Sequence, residues 1–481
     1  MPPVVRARRA STVVPLLSAA GGTGTPRERP GTPRERRRVD VDVVVPLSPL
    51  DTRWAALPPV CHVFLFPAAA AHQQQVPFSD VVRGLMSSLA AVLPAFHTLA
   101  GELAYSPELG TVTIVCGEDA GVAFVEAETD LDLASLVGVE DDDGAVDLDV
   151  DALPQLVPDI RREELPAPMF AAQVTEFVGG IALGVALNHV ATDGIGFFRF
   201  MEMWAASAVA AGATSSCWTW TEPLHDRRFV RFDGDQELAR RLLRQAAPDL
   251  PRIVPKQQGP TPQRPLLLSR RTFTFSAHAL RRLKQRLTAA GPGVVVGAAP
   301  STFATLAAHG WVSFALANGF TDAAPVFAVF LADCRTHMSP RVPDAYAGNC
   351  VVSCVVALSG AELTGADGPA LAFLAIRDAV AEVKRDPLAG SGSWITRFRA
   401  APPGRKVVLA GSPWFPAYAV DFGFGRPVRV ERASLEQDGA MAIFAGREAG
   451  SVQASVAVAA GKMPAFHRMF EVKCGSNNSR L

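Results

Sequence analysis

The sequence places an imidazole at the junction between an apolar strand and a glycine-bearing turn. In Asn188-His189-Val190-Ala191-Thr192-Asp193-Gly194, His189 follows the apolar run 180–187 and Asp193 stands four residues after it. A strand end is a rigid mount, and the turn beside it leaves room for a substrate. A neutral imidazole can take a hydroxyl proton near neutral pH and pass it to a leaving group. Asp193 could orient the ring, or hold the turn through a cation elsewhere in the chain. Taken alone, a His-x-x-x-Asp pattern serves a structural histidine equally well. A helical pair of metal ligands is disfavoured, because Gly194 and Gly196 make this turn a poor helix and no third ligand motif is evident; no metal is expected.

Three further groups carry residues of chemical interest. Asp333-Cys334-Arg335 follows the apolar run 326–331, and its guanidinium can form a bidentate pair with a carboxylate, for which Asp193 is a candidate. On its own the triplet reads as a surface Arg beside a strand end. Tyr346-Ala347-Gly348-Asn349-Cys350 reads as a turn before a strand. Asp421-Phe422-Gly423-Phe424-Gly425-Arg426-Pro427 contains the triplet of a protein kinase, but no Gly-rich nucleotide loop, Val-Ala-Ile-Lys or His-Arg-Asp segment precedes it. By itself it is a strand end followed by a Gly-rich turn. The seven cysteines are scattered and include no Cys-x-x-Cys pair, which suits reduced thiols in a cytosolic protein.

Composition bounds what these residues can serve. A chain of 481 residues, 49% apolar, suits two domains with sizeable cores. Residues 1–38 hold nine Arg and two Glu, a charge of +7, which leaves −8 for the remainder of a chain whose formal charge is −1. The body therefore offers no basic field for nucleic acid. The segment 1–38 is rich in Pro, Gly and Arg and repeats Gly-Thr-Pro-Arg-Glu-Arg at 24–29 and 31–36, so it is expected to be disordered, with the folded body starting near Val39. Cytoplasmic residence is expected, with organelle targeting by this extension as the alternative. No run of 18 apolar residues marks a membrane span.

The elements that must hold these groups are mixed in kind. Strands are predicted at 39–47, 61–66, 112–115, 122–125, 170–177, 180–187, 271–275, 326–331, 350–358, 407–409, 418–422, 440–444 and 451–458. Helices are predicted at 78–93, 197–211, 236–245, 277–289, 301–318 and 370–384. The acidic stretch 126–151 is expected as a solvated loop or surface helix. No regular βαβ repeat or Gly-x-Gly-x-x-Gly turn appears, so the fold class is α+β (mixed α/β) rather than a dinucleotide-binding fold. An N-terminal domain over 39–211, a crossover at 212–232 and a C-terminal domain over 233–481 complete the expectation.

The ordered set of motifs resembles the plant BAHD acyltransferases, whose two marks are HxxxDG in mid-chain and DFGWG near the C-terminus. Here they stand as His189 to Gly194 and Asp421 to Gly425, about 230 residues apart, and the similarity covers nearly everything after residue 39. The resemblance implies two chloramphenicol-acetyltransferase-like domains with a solvent channel between them. It implies His189 as the general base that deprotonates an acceptor attacking an acyl-CoA thioester directly. Asp193 paired with Arg335 would brace the turn, and the loop Asp421, Phe422, Gly423, Phe424, Gly425 would lie on the CoA side of the channel. Phe424 replaces the family Trp, so the indole N–H is lost.

Tyr346 to Cys350 resembles the YFGNC signature of the branch acting on anthocyanins and other phenolic or flavonoid glycosides, often from malonyl-CoA; Ala347 departs from it. Ile195 stands where malonyl-using relatives commonly carry Lys, and Arg199 is the candidate contact for the donor carboxylate. Malonyl is the first donor expected, with hydroxycinnamoyl or acetyl close behind. Partners are therefore acyl-CoA as co-substrate and a small phenolic acceptor, with no bound cofactor, no nucleic acid, no membrane and a monomeric chain. An N-acyltransferase acting on agmatine or a polyamine, and a non-catalytic ligand-binding relative, are the alternatives.

Overall fold

In the computed structural model, residues 5–16, 43–68, 76–138, 145–148, 152–161, 163–211, 221–253, 267–289 and 299–472 are described. The Gly-Thr-Pro-Arg-Glu-Arg repeats, the Pro-rich stretch 254–266, Glu140 to Asp143 and Cys217 and Cys474 lie outside these residues.

Two mixed sheets dominate. The first runs, in spatial order, Arg6–Val13, Val122–Asp132, Phe170–Val178, Gly180–Leu187, Val60–Pro67 and Arg429–Arg432. The hairpin Phe170–Val178/Gly180–Leu187 supplies its centre and turns at Gly179, whose φ of 82° suits a residue without a side chain. Both hairpin strands are buried over most of their length, which explains their nearly continuous apolar sequence. The second sheet runs Val351–Ser359, Pro325–Asp333, Lys406–Gly411, Ala440–Ala445, Val452–Ala459, Leu268–Phe275 and Ala145–Leu148. A four-stranded sheet flanks the first half.

Helices cover the sheets where their apolar spacing dictates. Phe78–Val92 turns Val81, Val82, Leu85, Leu89 and Val92 inward and packs on Gly194–Ala211, where Trp204 Nε1 donates to the Leu85 carbonyl at 3.1 Å. Thr302–Asn318 is buried on nearly all sides beneath Gly368–Arg385 and Met463–Phe470, and the Ser301 side chain caps its start by accepting the Ala304 backbone N–H. No helix among the described residues is long and apolar enough to cross a membrane.

Four expectations are corrected. First, the chain is not irregular throughout 1–38: Arg6–Val13 forms an edge strand antiparallel to Val122–Asp132. Second, the acidic stretch after Val122 is largely strand, and it answers the basic one. Arg8 donates to Glu128 at 2.7 Å and to Glu176 at 2.6 Å, and Arg6 donates to Asp130 at 3.0 Å. The basic segment is too polar to signal a strand and the acidic one signals only its start at 122–125, while their charges are complementary only once the strands are adjacent. Third, the division at 212–232 is crossed in both directions, since Ala145–Leu148 pairs in the second sheet and Arg429–Arg432 in the first. Fourth, 418–422 is no strand: a single turn at Ala417–Ala419 leads into a loop in which the Asp421 side chain takes backbone N–H groups.

The edge strand generates a test. Removing residues 1–16 is expected to lower the thermal midpoint, because it strips a strand and exposes a sheet edge carrying Glu128 and Asp130 without their arginines. Calorimetry checks this, and an unchanged midpoint would contradict a stabilising role for the strand.

Candidate active site

A cavity of about 790 Å³ opens between the two halves. His62, His189 and Phe198 face it from the first half, and Leu331, Val351 and Val408 from the second. His189 is half-buried, one residue beyond Asn188, whose backbone N–H donates to the Met169 carbonyl at 2.8 Å and so fixes where the hairpin strand ends. The indole of Trp54 stacks on the imidazole at 4.2 Å between centroids with 23° between planes. Burial pushes the imidazole down to about 4; its own backbone carbonyl and the Asp193 carboxylate pull it up, and Arg432 and Arg53 push it further down. The ring is therefore neutral at ordinary pH, with one nitrogen free to accept a proton.

The turn that carries this ring is held by Asp193, which is buried. Its Oδ1 accepts the backbone N–H groups of Ile195 at 3.1 Å and Gly196 at 3.3 Å, so the carboxylate caps a helix that starts at Gly194. The glycines earlier taken as helix-breaking are required by crowding. A Cβ on Gly194 would lie 2.5 Å from the Phe415 ring, and one on Gly196 would lie 1.9 Å from Thr192 Oγ1. The other oxygen, Oδ2, accepts from Arg335 Nη2 at 2.8 Å and from the Cys350 backbone N–H at 3.0 Å. Both donors come from the second half of the chain.

Arg335 does not meet Asp193 with a two-pronged grip. It divides its guanidinium, giving Nη2 to Asp193 and Nη1 to Asp333 at 2.7 Å, and Nη2 also donates to the Gly348 carbonyl at 3.2 Å. Burial alone would lower its basicity, but Asp193 and Asp333 more than offset that and raise it. Asn349, read from sequence as part of a turn, clasps the His189 segment from behind: its Nδ2 donates to the His189 carbonyl at 2.9 Å and to Asp51 Oδ1 at 2.9 Å.

Asp51 and Arg227 complete this framework and were not anticipated. Arg227 Nε lies 3.2 Å from Asp51 Oδ2, both side chains are buried, and Arg227 Nη2 donates to the Ala191 carbonyl at 2.8 Å. The readable signal was Ser48-Pro49-Leu50-Asp51, a capping-box spacing with Pro at the first turn, which the structure shows as a short capped helix. Arg227 lies in the segment expected as a crossover, so that segment also braces the turn.

Two predicted residues or groups are not brought to the cavity. Arg199 turns its Nη1 to the Asp344 carbonyl at 2.8 Å and does not line the cavity wall, so it is not placed to contact a donor carboxylate there. None of Asp421 to Gly425 lines the cavity either. Asp421 Oδ1 accepts from the Gly423 and Gly425 backbone N–H groups at 2.9 and 3.0 Å, in a loop where both glycines have positive φ, 95° and 104°. Phe422 packs on Trp204 at 5.1 Å and Phe424 on Phe66 at 5.0 Å. The loop is an aromatic plug under the first sheet.

A sequence model of the Transferase family matches residues 39–473. BAHD acyltransferase DCR of Arabidopsis thaliana is 31% identical over 399 residues, covering 80% of this chain and 78% of the relative. Phenolic glucoside malonyltransferase 1 of the same plant is 26% identical over 425 residues, covering 84% and 88%. Its coumaroyl-CoA:anthocyanidin 3-O-glucoside-6''-O-coumaroyltransferase 2 is 27% identical over 454 residues, covering 89% and 92%. Among solved structures, vinorine synthase aligns with a TM-score of 0.68 at 17% identity, covering 98% of this chain and 99% of that one. F. sporotrichioides TRI101, complexed with coenzyme A and T-2, aligns with a TM-score of 0.63 at 17% identity, covering 88% and 97%; these two likenesses show a shared fold.

Two substitutions probe the bracing. Asp193→Ala leaves the buried Arg335 short of one counter-charge and is expected to cost about 3–5 kcal/mol of stability, measured by denaturant unfolding. Asn349→Ala frees the His189 carbonyl and is expected to lower kcat more than it raises KM. A pure KM effect from Asn349→Ala would contradict that bracing role.

Proposed function

The chain belongs to the Transferase family of BAHD acyltransferases, which draw on acyl-CoA, and from that premise we propose that it moves an acyl group from CoA to a hydroxyl of a phenolic glycoside with His189 as the general base. The observation that carries this reading is a neutral imidazole, stacked on Trp54 and braced from both halves, facing a cavity large enough for two reacting groups. In the proposed step the acceptor oxygen attacks the thioester carbonyl as its proton passes to the imidazole. The tetrahedral intermediate then expels the thiolate, and the imidazolium returns the proton to sulfur, leaving an ester and free CoA. No acyl-enzyme is invoked, since no described cysteine lines this cavity.

The substrate classes are taken from the relatives, which are named for malonyl and coumaroyl transfer to phenolic and anthocyanidin glucosides. Malonyl is the first donor in this proposal, ahead of hydroxycinnamoyl and acetyl. Acylation of an amine is disfavoured because an ammonium acceptor calls for free carboxylates. On this cavity wall Asp193 and Asp333 are already bound to Arg335, and the remaining carboxylate, Glu436, stands exposed to solvent. A non-catalytic role is disfavoured by the intact His189 and its bracing.

The purified chain offered malonyl-, acetyl-, coumaroyl- and caffeoyl-CoA with flavonoid glucosides and amines is expected to acylate glucosides. Transfer confined to amines would overturn the acceptor assignment. His189→Ala is expected to lower kcat/KM by about 10²–10⁴ while the fold persists. Because burial lowers the imidazole to about 4, the base form persists well below the ordinary histidine range, and the acid limb of kcat/KM is expected between about pH 4 and 5. A limb at pH 6.5 or above would contradict a desolvated base.

A further inference from the structure

Among the described residues three arginines line the cavity without an ion pair, Arg53, Arg399 and Arg432, and of these only Arg432 is both half-buried and left with its terminal nitrogens unengaged. Arg432 ends the strand Arg429–Arg432, opposite His62 on Val60–Pro67, and lines the same cavity as His189. Its Nε donates to Ser434 Oγ at 3.3 Å, and its two terminal nitrogens have no protein acceptor among the described residues. The neighbouring acid is spent elsewhere: side chains alternate along a strand, and Glu431 lies with Arg429 on the opposite face, 3.1 Å from Arg429 Nη1 and 3.0 Å from Thr272 Oγ1.

The other arginines of the region are committed or peripheral. Arg53 donates Nη2 to the Val351 carbonyl at 2.8 Å and Nη1 to Ser353 Oγ at 3.2 Å, and its guanidinium lies between the Trp54 and Trp394 rings at 4.3 and 4.8 Å. Arg199 is turned to the Asp344 carbonyl, and Arg399 stands exposed at the cavity rim. Burial pushes the Arg432 guanidinium down to about 10, with only the Cys61 thiol opposing, so it stays charged at neutral pH. Its positive field reaches both His62 and His189.

We infer that Arg432 is the residue that receives a substrate carboxylate in this cavity, beside His189. An uncompensated, half-buried guanidinium is costly, and a planar carboxylate fits its fork. The carboxylate has two sources: the acyl group of a dicarboxylyl thioester such as malonyl-CoA, or an acidic acceptor. Recognition would then come from the far end of the first sheet rather than from the position after Gly194, where this chain has Ile195. The inference rests on the acyl-transfer reading but can fail independently of it.

Calorimetry without turnover separates the two. In the donor arm, malonyl-CoA, its methyl ester and acetyl-CoA are titrated into the unaltered chain, Arg432→Gln and Arg432→Lys. In the acceptor arm, the glucoside of a hydroxybenzoic acid is compared with that of its methyl ester. The unaltered chain is expected to prefer the free carboxylate by about ten-fold or more in one arm, and that arm names the source. Arg432→Gln is expected to erase the preference and Arg432→Lys to keep part of it. A chain that shows no preference in either arm, or a preference that survives Arg432→Gln, overturns the inference. Intact carboxylate preference without any acyl transfer would instead overturn the proposed reaction and leave this inference standing.

Discussion

The structure depends on one buried carboxylate. Asp193 accepts two backbone N–H groups of its own turn on one oxygen, and an arginine and a backbone N–H from the other half of the chain on the second. A carboxylate this far from water is tolerated only when its lone pairs are met, and here four donors meet them. The arrangement fixes where the helix Gly194–Ala211 begins, and hence where the strand before it must stop. His189 occupies the few residues between those limits. Placing the ring and joining the two halves are therefore one physical event.

The rest of the framework repeats the same logic one shell further out. Asp51 collects Asn349, Arg227 and the Ser48 cap, and Asn349 and Arg227 in turn hold the His189, Val190 and Ala191 carbonyls. The three successive carbonyls of His189, Val190 and Ala191 thus each have a donor from a distant part of the sequence. What this leaves open is the imidazole edge, the cavity and Arg432. A site braced on its backbone and open at its side chains can keep its chemistry while the cavity wall changes around it.

The sequence made the apolar framework legible and left the polar joints obscure. The hairpin around Gly179, the helix at Phe78–Val92 and the capped helix at Thr302–Asn318 follow from local periodicity, and all three stand where that pattern put them. Arg6–Val13 carries no apolar signal, and the acidic strand beside it is legible only over 122–125, because the pairing of their polar parts joins charges about 120 residues apart. Arg199 was chosen by nearness in sequence to Gly194, yet one helical turn carried it away from the cavity. Arg432 arrives from more than 200 residues downstream, because a strand of the second half crosses into the first sheet. Such crossings have no local signature, and a pair like Asp51 with Arg227 is unreadable until the chain is folded.

Asp193 and Arg335, joined at 2.8 Å, are proposed to act as a unit that holds His189 in place. The most direct test is a double-mutant cycle on kcat/KM with Asp193→Asn, Arg335→Gln and the combination, each checked for retained fold. If the pair acts only through its mutual contact, the double variant is expected to be about as impaired as either single one, with a coupling energy of at least about 2 kcal/mol. Losses that simply add would contradict the account, because they would mean that the two residues support catalysis by separate routes.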